Sequence, residues 1–338
     1  MTNFILVTGG AGYIGSHTCV ELINSGYDPI IVDNFSNSER FVVDRIKEIT
    51  GKQPILLEGD CGNVDWLIKV TKDYKINGCI HFAAYKAVGE SAKEPLTYFE
   101  NNIGSTISIL KWMEATGCEN LVFSSSCTVY GQPDKLPVTE KSPKKTAESP
   151  YGRTKQMCED IIEDYYKSGK NIKALALRYF NPIGAHPSAL IGELPLGVPN
   201  NLVPFITQTA AGIREKLIVF GNDYNTEDGT CIRDYIHVVD LAKAHVSAIQ
   251  YLINKKENLV DYINVGTGTG NSVLDVIKTF EKVNKLQLNY SIGERRPGDV
   301  EKVYAEASYI NKTLGWKASK SLDEALQDAW RWQKKLIN

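Results

Sequence analysis

Short apolar runs recur along the chain, and each stops at glycine or at a polar residue. Residues 4–8 run apolar up to Gly9. Ile30, Ile31 and Val32 end in Asp33, and Ile55, Leu56 and Leu57 end in Glu58, Gly59 and Asp60. Further runs cover 79–84, Leu121 to Phe123 before Ser124, Ser125 and Ser126, and 172–179. Between them lie amphipathic stretches at 14–25, closed by Gly26, and at roughly 64–74, 95–116 and 151–167. Short β-branched runs alternating with helical periodicity predict βαβ units and a parallel sheet. The polar residues gather where each predicted strand ends, the edge at which open α/β sheets take their ligands.

The alternation breaks after Asn181. Residues 182–235 are rich in proline, glycine and polar turns, then 238–251 read as a helix, 262–266 as a returning strand, and 321–332 as an amphipathic helix. The expected architecture is a doubly wound parallel sheet with a second, smaller α/β lobe. The first domain takes 1–181 plus about 236–266, and the second takes about 182–235 plus 267–338. No repeats or low-complexity linker appear, so the lobes are expected to interleave.

The 338 residues can bury a substantial core, and 43% apolar with 23% charged is ordinary for a globule. A net charge of −2 gives no whole-chain attraction to nucleic acid or anionic lipid. No apolar run approaches the roughly 20 residues that span a bilayer, and residues 4–8 read as a strand, not a signal peptide. The seven cysteines form no C-x-x-C pair, which fits a reduced, cytoplasmic setting. The five histidines have no ligand spacing, so no metal is expected.

Against this background the glycines gain meaning. Gly10, Gly12 and Gly15 follow a predicted strand and open a helix, after Thr8 and Gly9. Glycines permit a tight turn and close backbone approach to a pyrophosphate, and the helix N-terminus offers free N–H groups. Asp33 ends the next strand, 18 residues after Gly15. A carboxylate there accepts from a ribose 2′-hydroxyl and repels a 2′-phosphate, which favours NAD over NADP. Asp60, at the third strand end, has two readings: an adenine contact or a helix N-cap.

Tyr151 and Lys155 lie four apart on one helical face. Tyr166 and Lys170 share that spacing, as do Tyr251 and Lys255, so spacing alone proves little. Tyr151 is set apart by following Pro150 and the serine strand end. A tyrosine pKa near 10 would have to fall by about three units, roughly 4 kcal/mol, to give a phenolate at neutral pH; a nearby ammonium and a nicotinamide cation both act that way. The phenolate would remove a proton from a substrate hydroxyl as the same carbon is oxidised, with Ser126 bonded to that oxygen. Ser126 could instead satisfy strand-end backbone groups, and Cys127 is read as a small filler.

The segments 8–17, 81–91, 123–131, 151–155, 178–187, 198–202 and 233–237 together resemble the UDP-glucose 4-epimerase family (UDP-galactose 4-epimerases) of the extended short-chain dehydrogenases/reductases, over essentially the whole chain. The resemblance implies reversible interconversion of UDP-galactose and UDP-glucose through a 4-keto sugar that turns over beside a tightly held NAD. It implies NAD contacts at Gly9, Gly12, Tyr13, Ile14, Gly15, Asp33, Asn34, Ser36, Asn37, Asp60, Cys61, Phe82, Ala83, Lys86, Asn101, Ser124, Tyr151, Lys155 and Tyr179. It implies sugar-nucleotide contacts at Lys86, Ser126, Tyr151, Phe180, Asn181, Asn201, Leu202, Phe220, Arg233, Arg296, Asp299 and Val303. Arg233 and Arg296 also admit a reading as surface or interdomain ion pairs.

Two departures stand out. Ala84 and Tyr85 replace the family's more usual Gly-Leu, and Val303 stands where some members carry tyrosine, which suggests room for a 2-acetamido sugar. The resemblance further implies a homodimer through 95–116 and 151–167, with Trp112 near the seam. The rival activities are a nucleotide-sugar 4,6-dehydratase, a simple NAD-dependent dehydrogenase and a non-catalytic NAD sensor. The dehydratase needs an Asp-Glu pair where this chain has Cys127 and Thr128.

Overall fold

The structure is a computed structural model that describes residues 3–296 and 298–337. Its strands are β1 (Phe4–Thr8), β2 (Asp28–Asp33), β3 (Ile55–Glu58), β4 (Ile76–His81), β5 (Asn120–Ser126), β6 (Lys173–Tyr179), β7 (Asn181–Ile183), β8 (Leu217–Phe220), β9 (Ile232–His237), β10 (Leu259–Val265), β11 (Gly270–Ser272), β12 (Tyr290–Gly293) and β13 (Lys302–Val303). Its helices are α1 (Tyr13–Asn24), α2 (Phe41–Thr50), α3 (Val64–Thr71), α4 (Val88–Lys93), α5 (Pro95–Thr116), α6 (Pro150–Lys167), α7 (Leu202–Ala210), α8 (Val238–Asn254), α9 (Val273–Asn284), α10 (Ser308–Leu314) and α11 (Leu322–Ile337).

Seven parallel strands form the main sheet in the order β10-β6-β5-β4-β1-β2-β3. Alternate residues along each strand feed different cores. Ile5, Val7, Ile31, Ile80, Val122, Leu175 and Leu177 pack with α1, α2 and α8. Leu6, Ile30, Val32, Cys79, Leu121 and Phe123 pack with α3, α5 and α6. Burial on both faces explains why these strands read as unbroken apolar runs.

Chain order reverses between β1 and β4, and the crevice at that switch is the expected ligand site. The two strand ends are packed closely there: a Cβ on Gly9 would lie 2.9 Å from the Ala83 nitrogen.

The second lobe is built on β9, which pairs with β7, β11 and β13, and on the pair β8 and β12. Its apolar core joins α7, α9 and α11 through Ile206, Phe280 and Leu326. The expected division placed all of 267–338 in this lobe. Instead, α10 returns to the main sheet's helical layer, with Ile310 and Trp316 in the first core and the Trp316 indole donating to the Asp240 carbonyl at 3.1 Å.

Other boundaries moved for local reasons. The three serines lie inside β5, because Ser124, Ser125 and Ser126 pair in register with β6. β4 spans 76–81 where 79–84 was expected, since the chain leaves the ladder after His81. Trp112, expected near a dimer seam, is fully buried and donates to Thr71 Oγ1 at 2.9 Å, so it faces α3.

Candidate functional site

The glycine turn between β1 and α1 has both internal and external constraints. Gly9 adopts φ +68, which favours glycine. A Cβ on Gly15 would meet the Gly9 carbonyl at 2.2 Å, and one on Gly10 would crowd Ile31 at 3.0 Å. Gly12 differs: a Cβ there would meet only the Gly9 oxygen, at 3.2 Å. Its outer side is open. Gly12 is also the N-cap of α1, without a side-chain cap and with no acidic residue in the first turn. A helix N-terminus left uncapped beside an open glycine suits a pyrophosphate.

Asp33 is 8% exposed and ties this turn together. It accepts from the Ala11 nitrogen and the Phe35 nitrogen, both at 2.9 Å, and from Ser38 Oγ at 2.8 Å. Asn34 Oδ1 accepts from the Ser36 nitrogen at 3.1 Å, in the loop that carries Asn37. Asp60 accepts from the Gly62 nitrogen at 2.8 Å, while Asn63 caps α3, which removes the N-cap reading of Asp60. Cys61 is buried beside it. Ile14 lies in the first turn of α1, and Phe82 packs on His245 with ring centres 4.6 Å apart.

Across the switch, β5 and α6 bring the chemistry together. Ser149 caps α6 by accepting from the Gly152 nitrogen, with Pro150 in the first turn. Tyr151 and Lys155 follow on one face, 8% and 3% exposed. Lys155 Nζ donates to the Ser124 carbonyl at 2.7 Å and lies 5.9 Å from the Tyr151 ring centre. Ser124 Oγ and the Tyr179 hydroxyl are bonded at 2.5 Å. Ser126 Oγ accepts from the Thr128 nitrogen at 3.2 Å, so the strand-end role is real. Thr128 Oγ1 beside it is buried without a protein partner.

Spacing alone was indeed uninformative: Lys255 Nζ lies 4.7 Å from the Tyr251 ring centre, closer than the pair at 151 and 155. Burial distinguishes them, since Tyr251 and Lys255 are only half-buried.

Burial dominates the electrostatics of this pair. Burial pushes the Tyr151 phenol well above its ordinary value, the neighbouring Tyr179 adds to this, and a side-chain hydrogen bond with Ser126 pulls the other way. Burial also brings Lys155 down to about 8, partly opposed by Cys158 and Glu159. Both shifts disfavour a phenolate–ammonium pair, so a further positive charge in the cleft would favour the phenolate.

The expected sugar-nucleotide residues form a second cluster. Arg296 donates to both oxygens of Asp299, at 3.2 and 2.7 Å, and Arg233 approaches the same carboxylate at 3.7 Å. The Arg296 guanidinium lies 5.6 Å from the Phe220 ring centre. Val303 pairs with Arg233 in the ladder and shares a small apolar cluster with Phe180. Asn181 opens β7, which pairs with β9. Asn201 is the N-cap of α7, which begins at Leu202, but its side chain makes no cap bond. Its amide donates instead to Glu193 at 2.5 Å. Lys86 donates to that same oxygen at 3.3 Å.

Sequence reading passed over several residues. Asn102 accepts from the Tyr85 nitrogen at 2.8 Å and donates to Thr154 Oγ1 at 3.0 Å, fixing the 82–86 loop to α6 next to Asn101. Glu159 is fully buried, bonded to Arg178 through two nitrogens at 2.8 and 2.7 Å and to Ser125 at 2.6 Å. Neither Glu159 nor Glu193 carries a signal without knowledge of its partner. A surface hollow of about 800 Å³ beside Phe99, Lys145 and Arg153 contains none of Ser126, Tyr151 and Lys155.

Comparison with known proteins agrees with this geometry. Residues 6–329 match the family described as GDP-mannose 4,6 dehydratase. A Bacillus subtilis protein named UDP-glucose 4-epimerase is 49% identical over 99% of this chain and 98% of its own. The crystal structure of UDP-glucose 4-epimerase from Stenotrophomonas maltophila, with bound NAD and formylated UDP-arabinopyranose, is 46% identical with a TM-score of 0.96, covering 100% of this chain and 99% of that one. That from Bifidobacterium longum, in complex with NAD+ and UDP, is 45% identical with a TM-score of 0.95 and covers 99% of both chains. With a Rossmann sheet, the Tyr-Lys pair at its crevice and full-length identity near one half, the chain belongs to the UDP-glucose 4-epimerase family of the extended short-chain dehydrogenases/reductases.

Proposed function

We propose that this protein interconverts UDP-galactose and UDP-glucose by inverting sugar C4, with NAD retained throughout. The observation that carries this reading is the meeting of Ser126, Tyr151 and Lys155 at the switch-point edge, across from an open Gly12. Gly12, Asp33, Asp60, Lys86 and Tyr179 would hold the cofactor. NAD bound there supplies the reversible acceptor for the C4 hydride and a positive ring beside Tyr151.

The protein manages the proton. Tyr151, once ionised, takes it from the 4-hydroxyl, and Ser126 holds that oxygen during oxidation. Lys155 contributes positive charge and anchors to the Ser124 carbonyl, which fixes its position. Arg233 and Arg296 take the diphosphate, and Phe220 lies beside the base. Gripping the nucleotide end leaves the 4-keto hexose free to present its other face, so return of hydride inverts C4.

A 4,6-dehydratase would need a carboxylate pair after Ser126, where Cys127 and Thr128 stand. A simple dehydrogenase would release NADH, and a sensor would have no use for a buried Tyr151. The test is incubation with UDP-galactose and no added NAD. UDP-glucose without net NADH is expected; net NADH or a dehydrated sugar would replace this reading.

The same reading extends to assembly and setting. A homodimer through α5 and α6 is supported by Leu96 and Ile107, exposed at 79% and 37%. Among the described residues no helix is long and apolar enough to cross a membrane. A cytoplasmic setting is supported by seven cysteines that are all free.

A further inference from the structure

Glu193 stands outside every role assigned above, yet it joins the two halves of the cleft. Its carboxylate oxygen accepts from Lys86, on the loop after β4, and from Asn201, at the start of α7. Lys86 belongs to the proposed cofactor side and Asn201 to the proposed sugar side. The Glu193 side chain is 11% exposed, and the Lys86 ammonium also lies 5.9 Å from the Tyr13 ring centre. Tyr13 donates to the Gly184 carbonyl at 2.7 Å, a second tie between the glycine turn and the start of the second lobe.

The position of Glu193 is fixed from behind. The Trp332 indole of α11 donates to the Glu193 carbonyl at 3.0 Å. Gly192 packs so closely that a Cβ would meet the Trp332 ring at 2.4 Å. These contacts fix the Glu193 backbone, and the carboxylate itself is held by its two donors, Lys86 and Asn201. Each donor keeps capacity for a ligand: the ammonium has two further N–H groups, and the amide has one N–H and its oxygen.

We propose that Glu193 is a positioning residue that couples cofactor and sugar-nucleotide binding, by holding Lys86 and Asn201 to one another across the cleft. This rests on the epimerase reading for the identity of the two ligands. The opposite behaviour is equally concrete: a carboxylate that merely occupies phosphate donors would compete with both ligands, and its removal would tighten them.

The experiment uses Glu193→Gln, which keeps shape and removes charge, with Glu193→Ala beside it. Dissociation of bound NAD is followed by gel filtration and fluorescence, and KM and kcat for UDP-galactose are measured at saturating NAD. Coupling predicts NAD loss faster by about tenfold and KM higher by about fivefold or more, while kcat falls by less than about threefold because Tyr151, Ser126 and Lys155 are untouched. A variant that binds either ligand as well as the native chain, or better, overturns the proposal. If Glu193→Ala fails to fold, the near-isosteric Gln variant decides. If the native chain does not epimerise at all, the epimerase reading fails separately, and NAD dissociation alone still tests Glu193.

Discussion

Lys155 donates to the backbone carbonyl of Ser124 at 2.7 Å while its ammonium stands 5.9 Å from the centre of the Tyr151 ring, so the lysine is anchored to the strand that carries Ser126. Burial raises the phenol and lowers the ammonium, and both shifts work against a phenolate–ammonium pair in the protein alone. A cation arriving in the cleft would offset both shifts and favour ionisation of Tyr151.

This relationship predicts a titration. In protein stripped of nucleotide, the ultraviolet difference between native chain and Tyr151→Phe should show no tyrosinate signal at neutral pH. With NAD restored the signal should appear at lower pH. Tyr151→Phe should keep its NAD and lose activity by about 10²- to 10⁴-fold, the usual contribution of a positioned base. Tyrosinate at pH 7 in the stripped protein would show that Lys155 suffices.

Acid sensitivity follows from the histidines. His17, His81 and His245 are 0–2% exposed, and burial lowers them to about 3, 3 and 4. His17 Nδ1 lies 2.7 Å from the Tyr13 carbonyl, and its Nε2 has no partner, so a second proton would be buried unpaired. The folded rings stay neutral where the unfolded chain, titrating near 6.5, takes up protons. Their stabilisation is complete above pH 6.5 and drains as pH falls toward 4, at roughly 1.4 kcal/mol per pH unit for each ring. Calorimetry should show Tm dropping steadily from pH 6.5 to 5, a window above most carboxylate titration. A flat Tm there contradicts the prediction.

The alternation of apolar runs was enough to foresee the parallel sheet, because strands buried on both faces leave little ambiguity. The glycine turn was legible for a similar reason: its constraints are local. Contacts that join distant segments were not. Asn102 to Thr154, Glu159 to Arg178 and Glu193 to Lys86 are polar residues whose roles exist only after folding.

Gly12 and Gly15 should separate folding from binding. Gly15→Ala forces a Cβ to 2.2 Å from the Gly9 carbonyl, so the turn must rearrange and Tm should fall. Gly12→Ala meets only the Gly9 carbonyl oxygen, at 3.2 Å, so it should lose less Tm than Gly15→Ala, yet lose NAD because its methyl would crowd the turn where the pyrophosphate approaches. Equal NAD content in Gly12→Ala and the native chain would place the pyrophosphate elsewhere.

Glu159→Gln tests the buried pair under the catalytic helix. The change leaves the Arg178 guanidinium, 3% exposed, without its countercharge. Breaking one side of such a pair costs about 3–5 kcal/mol, and chemical denaturation should show it as a lower midpoint. Exchanging both residues for apolar ones should recover only part of that loss, because Lys144, the buried Ser125 hydroxyl and Tyr130 would lose their partners. A native midpoint in Glu159→Gln would mean the pair is not balanced as its geometry implies.

Substrate breadth is proposed to turn on Val303. Its side chain is 6% exposed and packs with Phe180, one strand from Arg233. A valine here, where the resemblance puts a tyrosine in some members, would leave room for a 2-acetamido sugar as well as a plain hexose. Val303→Tyr would fill that space, and crowding alone could cost about 1–3 kcal/mol of stability. The informative quantity is therefore the ratio of rates on UDP-N-acetylglucosamine and UDP-glucose, measured in parallel with Val303→Ala. The ratio should fall about tenfold in Val303→Tyr and hold in Val303→Ala, because only the ring discriminates at C2. A native N-acetyl rate under about one per cent of the glucosyl rate, unmoved by the tyrosine, would remove Val303 as the determinant.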